Sequence, residues 1–178
     1  MRYFIGIELP PLVSLELLRI QQIISEAQVC TASWVKPDNL HCTLLFLGNL
    51  TEQKLTALIS PLSTIQYPPF FTELEQLEVP RWSSPHLIWV TLSNNGLSDL
   101  YATLCKELPN YQETRSFTGH CTIARLKKVP KQGALKELIE SIEIAPLSWE
   151  VTSFSLYSSR TEQMGAEYTL IKRYILKS

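Results

Sequence analysis

The tetrapeptide His-Cys-Thr-Leu at residues 41–44 returns as His-Cys-Thr-Ile at 120–123, each inside an apolar, strand-like run. Two of the chain's three histidines are used there. Successive side chains of a strand point to opposite faces. His41 and Thr43 therefore share one face and Cys42 and Leu44 take the other; His120 and Thr122 stand likewise against Cys121 and Ile123. Laid side by side, two such strands gather two imidazoles and two hydroxyls at one place. A fold that does this needs two comparable lobes, each supplying one motif strand.

The remaining pattern agrees. Strand-like runs cover residues 3–8, stopped by Pro10 and Pro11, then 31–35, 40–48 with Gly48 at its end, 70–79, 86–92, 119–126, 148–159 and 167–176. Helical spacing marks about 11–27, 51–62 with Thr51 as N-cap, 96–108, and 131–142. In the third of these Leu97, Leu100, Tyr101, Leu104 and Leu108 form one stripe. The expectation is an α+β fold over residues 1–178, a single bilobal domain of two similar lobes, each a sheet covered by helices. A chain of 178 residues is long enough for a sizeable core.

A formal net charge of −1 excludes strong electrostatic binding of long nucleic acid, which depends on many basic side chains neutralising phosphates. A site that reads one phosphate at a chain end remains open. The cysteines, Cys30, Cys42, Cys105 and Cys121, form no CxxC pair, which suits reduced thiols inside the cell. No apolar run is long enough to span a bilayer and no basic and apolar leader precedes the first strand, so a cytoplasmic location is expected.

Paired imidazoles and hydroxyls suit displacement at phosphorus. Histidine serves as acid or base near neutral pH, and threonine hydroxyls donate to non-bridging phosphate oxygens. Alternation along the second motif strand is read as carrying Arg125 onto the face of His120 and Thr122, where its guanidinium would meet the same charge. His86 lies outside both motifs and is expected to be solvated; Cys42 and Cys121 are expected in the core. Trp34, Trp82, Trp89 and Trp149 default to core packing, and the KRYILK run near the end to a solvated sheet edge. Three dispersed histidines without acidic partners at ligand spacing make no metal site.

These blocks resemble the 2H phosphoesterase superfamily, and within it the RNA 2′,3′-cyclic phosphodiesterases, also called 2′-5′ RNA ligases. The likeness covers RYFIGIELPP, WVKPDNLHCTLLFLG, RSFTGHCTIARL, FSLYSSR and EYTLIKRYIL, essentially the whole chain. It implies antiparallel sheets with the active site in the cleft between the lobes. It also implies metal-independent hydrolysis of a terminal 2′,3′-cyclic phosphate to a 2′-phosphate, with reversal giving 2′-5′ ligation. By the same resemblance His41 is the proton donor, His120 the proton acceptor, and Thr43, Thr122 and Arg125 bind phosphate. Phe46 matches an aromatic that stacks on the nucleobase, although strand alternation puts it opposite His41. No cofactor, metal or membrane is implied; the partner is an RNA or nucleotide cyclic-phosphate end, met by a monomer. Thr118 stands where relatives usually have histidine, and Leu45 where many have lysine or another polar residue. Two alternatives stay open: a nucleotide-binding module without turnover, and a hydrolase of another cyclic phosphate such as that of an ADP-ribose.

Overall fold

The computed structural model describes the chain except for Asn94, Glu113, Arg115, Gln163, Met164 and Ser178, and the side chains of Asn95, Thr161 and Glu162. Its elements, in chain order, are β1 Arg2–Glu8, α1 Pro11–Glu26, β2 Thr31–Trp34, β3 His41–Asn49, α2 Glu52–Thr64, β4 Phe70–Glu78 and β5 Leu87–Leu92. They continue with α3 Asn95–Glu107, β6 His120–Lys128, α4 Gln132–Ser141, β7 Ser148–Val151, β8 Ser153–Glu162 and β9 Gly165–Ile175. Local chemistry sets the helix starts. Pro10 is extended and Pro11 opens α1, where a missing N–H costs nothing. Thr51 caps α2 as expected, its Oγ1 accepting from Lys54 N at 3.3 Å.

Strands pair in the order β7-β4-β5-β6-β3-β1-β8-β9, with β2 also on β6, and every strand pairing among the described residues is antiparallel. One lobe holds β1, β3, β8 and β9; the other holds β2, β4, β5, β6 and β7. They meet where β3 and β6 pair through Cys42 opposite Cys121. Past this rung β6 takes β2 as its neighbour on that side, Trp34 opposite Ala124. Helix α1 lies against β6, α3 against β3 and β4, and α4 against β4. Their contacts cover the cysteine side, where Cys42, Leu44, Cys121 and Ile123 are buried; His41, Thr43, His120 and Thr122 face the uncovered side.

Two features depart from simple expectation. The run 148–159 is not one strand. It breaks at Thr152, and its parts go to different lobes, β7 onto β4 and β8 onto β1. The lobes are therefore interleaved along the chain rather than being its two halves.

The second departure shapes the site. Counting alone puts Arg125, three residues past Thr122, on the buried face, and Phe46, three past Thr43, likewise. In β6, Trp89 pairs with Thr122 and Ile88 with Ala124, leaving Ile123 as an extra residue. In β3, Gly6 pairs with Thr43 and Ile5 with Leu45, leaving Leu44 extra. Each motif strand thus carries a β-bulge after its Thr, which shifts the alternation by one residue. Leu44 with Leu45, and Ile123 with Ala124, are buried in succession, and Phe46 and Arg125 emerge exposed. The expectation that alternation carries Arg125 onto the motif face therefore fails, since three residues separate it from Thr122; the bulge turns it there, and the bulge in β3 likewise turns Phe46 onto the face that alternation denies it. Leu45 is turned into the core. The second bulge has a buried support: the Ile123 carbonyl accepts from Gln21 Nε2 at 2.7 Å and from Val35 N at 3.0 Å. These bonds satisfy an acceptor that the disrupted ladder would otherwise leave short.

Candidate active site

The rung between Cys42 and Cys121 brings the motifs together. In antiparallel register His41 then stands level with Thr122, and His120 level with Thr43. His41 Nδ1 lies 2.7 Å from the Asn39 carbonyl, and Nε2 lies 2.9 Å from Thr43 Oγ1. A carbonyl only accepts, so Nδ1 carries the proton; in the neutral ring Nε2 then accepts from the threonine hydroxyl. His120 Nδ1 makes the same bond, to the Thr118 carbonyl at 2.7 Å. This orients the Nε2 edge of both rings away from the backbone. Gly6 permits the close passage of β1: a Cβ there would sit 3.0 Å from the Cys42 oxygen and 3.4 Å from His41 Cδ2.

The surroundings of the two rings differ. His41 is packed by Phe4 at 4.8 Å between centroids and by the edge-on ring of Tyr168 at 5.1 Å, beside a cavity of about 340 Å³ that Glu8, Asp38 and Tyr157 also line. Burial, and then the positive charge of His120 and Arg125, hold the His41 pKa down at about 4, against the opposing bond to Asn39. Arg125 therefore acts on His41 across the lobe junction. His120 lies over Trp89 at 4.0 Å, facing a cavity of about 220 Å³ shared with Thr43, Phe46, Tyr101, Phe117 and Thr118. Thr122 shares the exposed face of β6 with His120. Among the described residues no group of three or more His, Cys, Asp or Glu is placed to hold a metal ion.

Residues 15–163 match the family model described as the 2′-5′ RNA ligase superfamily. The chain belongs to this superfamily. An RNA 2′,3′-cyclic phosphodiesterase of Thermotoga maritima is 33% identical over 146 residues, 79% of this chain and 77% of the relative. One from Methanocaldococcus jannaschii is 27% identical over 178 residues, 98% of this chain and 100% of the relative. Among solved structures, E. coli LigT complexed with 3′-AMP superposes with a TM-score of 0.77 at 26% identity, covering 99% of this chain and 98% of that one.

For a 2′-5′ RNA ligase superfamily chain, several site features are invisible to motif reading. Trp89 is not simply core: it supports His120 while its Nε1 donates to Glu78 Oε1 at 2.7 Å. Phe4, Tyr157 and Tyr168 enclose His41 from β1, β8 and β9, and nothing in their spacing announces this. Tyr157 and Arg173 both donate to Glu8, and the Arg173 bond holds the Glu8 carboxyl below its ordinary range against the opposing effect of burial. His86 is exposed, as expected. No helix among the described residues is long and apolar enough to cross a membrane.

The thiols face away from this chemistry. Cys42 and Cys121 are fully buried, and burial pushes the Cys42 thiol up to about 12 and Cys121 well above its ordinary value. A thiol held protonated is a poor nucleophile. Cys42→Ala and Cys121→Ala are expected to cost roughly 1–2 kcal/mol of stability each in thermal denaturation. Turnover per folded molecule should stay near wild type; loss of turnover in both variants would contradict the face assignment.

Proposed function

We propose that this chain, working as a single cytoplasmic and monomeric domain, hydrolyses the terminal 2′,3′-cyclic phosphate of RNA to a 2′-phosphate without a metal. The observation that carries the proposal is the juxtaposition of two His-x-Thr strands at the Cys42–Cys121 rung, with Arg125 turned onto their face by a bulge. The names of the relatives and the nucleotide held by E. coli LigT support the substrate class.

In the proposed reaction the phosphate lies between the two imidazoles. Thr43, Thr122 and Arg125 hold its non-bridging oxygens, and Phe46 offers an exposed ring to the base. His120 accepts a proton from water as the water oxygen bonds to phosphorus. The bond from phosphorus to the 3′ oxygen breaks, and His41 gives that oxygen its proton. With a 5′-hydroxyl in place of water, the same steps yield a 2′-5′ linkage. The Thr43 hydroxyl, engaged by His41 Nε2 in the free site, turns to the phosphate and leaves Nε2 able to take up the proton it will donate.

The deciding experiment incubates a short RNA ending in 2′,3′-cyclic phosphate with the protein in excess EDTA and identifies the end formed. A 2′-phosphate end supports the proposal. An untouched cyclic end, or activity that EDTA abolishes and a metal restores, refutes it.

Arg125 has a separable role. Its planar, permanently charged fork offers paired donors that an ammonium group lacks. Arg125→Lys is expected to weaken transition-state stabilisation by about 1–3 kcal/mol, the scale of a hydrogen bond to a charged group. Its pH–rate curve should keep the wild-type shape, because neither proton-transfer group is removed. A curve that loses a limb would move Arg125 into the acid–base machinery.

A further inference from the structure

Strand β9 brings Tyr168 against the first motif from outside the motif strands. The Tyr168 ring meets His41 edge-on, centroids 5.1 Å apart at 89°, and meets Phe4 edge-on at 5.0 Å. One residue registers β9 here. Asn39 offers its carbonyl to His41 Nδ1, while its side-chain amide donates to the Ala166 carbonyl at 2.6 Å, two residues before Tyr168. The histidine and the tyrosine are thus indexed to the same short turn. Among the described residues nothing hydrogen-bonds to the Tyr168 hydroxyl, which is only partly exposed. The charges of Arg125 and Arg2 reach it and favour its ionised form, although burial dominates and raises its pKa. The ring contact with His41 thus sets a hydroxyl with a spare donor at the edge of the site proposed for the phosphate.

We infer that Tyr168 is a further functional residue of this site: its ring positions His41, and its hydroxyl donates to the phosphate that Arg125 binds. This rests on the cyclic-phosphate reading of the site. The groups facing His41 are the Asn39 carbonyl, Thr43 on its own strand, and His120 and Arg125 from β6; Glu8, Asp38, Tyr157 and Tyr168 line the cavity beside it. Glu8 is already engaged by Arg173 and Tyr157, so of the two tyrosines that line this cavity Tyr168 is the one whose hydroxyl is free to donate.

The test compares Tyr168→Phe with Tyr168→Leu, using 2′-AMP as a probe of phosphate binding and kcat/KM against pH on a cyclic-phosphate RNA. Tyr168→Phe keeps the ring, so 2′-AMP should bind about tenfold more weakly on an unchanged pH profile. Tyr168→Leu should show the same weakening and also move the limb set by His41 to higher pH, because the ring that excludes water from the imidazole is gone. Tyr174→Phe is the control: that hydroxyl, on the same strand, is buried without a partner and its ring stacks on Phe154. It should bind 2′-AMP as wild type does. Wild-type 2′-AMP binding by Tyr168→Phe, an unmoved profile in Tyr168→Leu, or equal losses in Tyr174→Phe would overturn the inference. A wild-type protein that leaves the cyclic phosphate intact, while Tyr168→Phe still binds 2′-AMP more weakly, would fail the reaction proposed above and leave the phosphate contact standing.

Discussion

Replacing His41 or His120 by alanine is expected to lower hydrolysis of a cyclic-phosphate RNA by roughly 10²–10⁴-fold, the worth of a positioned proton-transfer group. The double variant should be little worse than the poorer single one, because groups that act in one step are strongly non-additive. Both rings anchor Nδ1 to the carbonyl two residues earlier, and so does the exposed His86, whose Nδ1 lies 2.8 Å from the Ser84 carbonyl. That bond is therefore a local habit of these chain segments and not a mark of catalysis, and His86→Ala serves as the matched control. It should retain near-normal turnover. Circular dichroism should find all three variants folded. Normal turnover by His41→Ala would remove the basis for pairing the motifs.

The second large effect is a pH dependence of stability and of ligand binding, both set by His41. Its pKa falls from 6.5 to about 4 on folding, chiefly through burial. Between these values the unfolded chain holds a proton that the folded chain does not, so protonation favours unfolding. The stabilising contribution of neutral His41 is present above about pH 6.5 and is lost as pH falls towards about 4, by up to about 3 kcal/mol. Urea unfolding of wild type and His41→Asn should therefore converge in pH dependence only where the imidazole does not titrate, and a wild-type slope equal to that of His41→Asn would refute the shift. In the proposed reaction, His41 as proton donor is then empty in the free site at neutral pH. An arriving phosphate anion offsets the charge of Arg125 and drives proton uptake by His41. Titration with 2′-AMP near pH 6 in buffers of different ionisation enthalpy should record that uptake, and His41→Asn should abolish it.

Much of this was legible in residues 41–44 and 120–123, because a period of two and a repeated polar pair survive any fold that keeps both strands. The helices were legible too, from caps and stripes such as Thr51 and Leu97–Leu100–Leu104. What alternation could not supply was the bulge. An inserted residue in a ladder depends on the partner strand, here on Gly6 and Trp89 and on the Gln21 amide that satisfies Ile123, and these are distant in sequence. Alternation hence places both Phe46 and Arg125, each three residues past a motif Thr, on the buried face, and the expectation of Arg125 on the motif face by alternation does not hold; the bulges turn both outward. The break at Thr152 was hidden because both halves of 148–159 have strand character and only long-range pairing separates them. Trp89 and Tyr168 look like any half-buried aromatic until the fold sets histidines beside them.

The interleaving of the lobes bears on how such a chain comes to be active during its own synthesis. The strand that carries His41 is made early, and β1 pairs with it, but the other edge of β1 is filled by β8 and the aromatic enclosure is closed by Tyr157 and Tyr168. Until those late segments leave the ribosome, the first motif has an open sheet edge and a hydrated imidazole. Contacts so distant along the chain slow folding. A nascent molecule that lacks β8 and β9 would thus carry both histidine motifs intact in sequence and yet lack the aromatic enclosure of His41, so the surroundings of the first motif depend on two ends of the chain having already found each other.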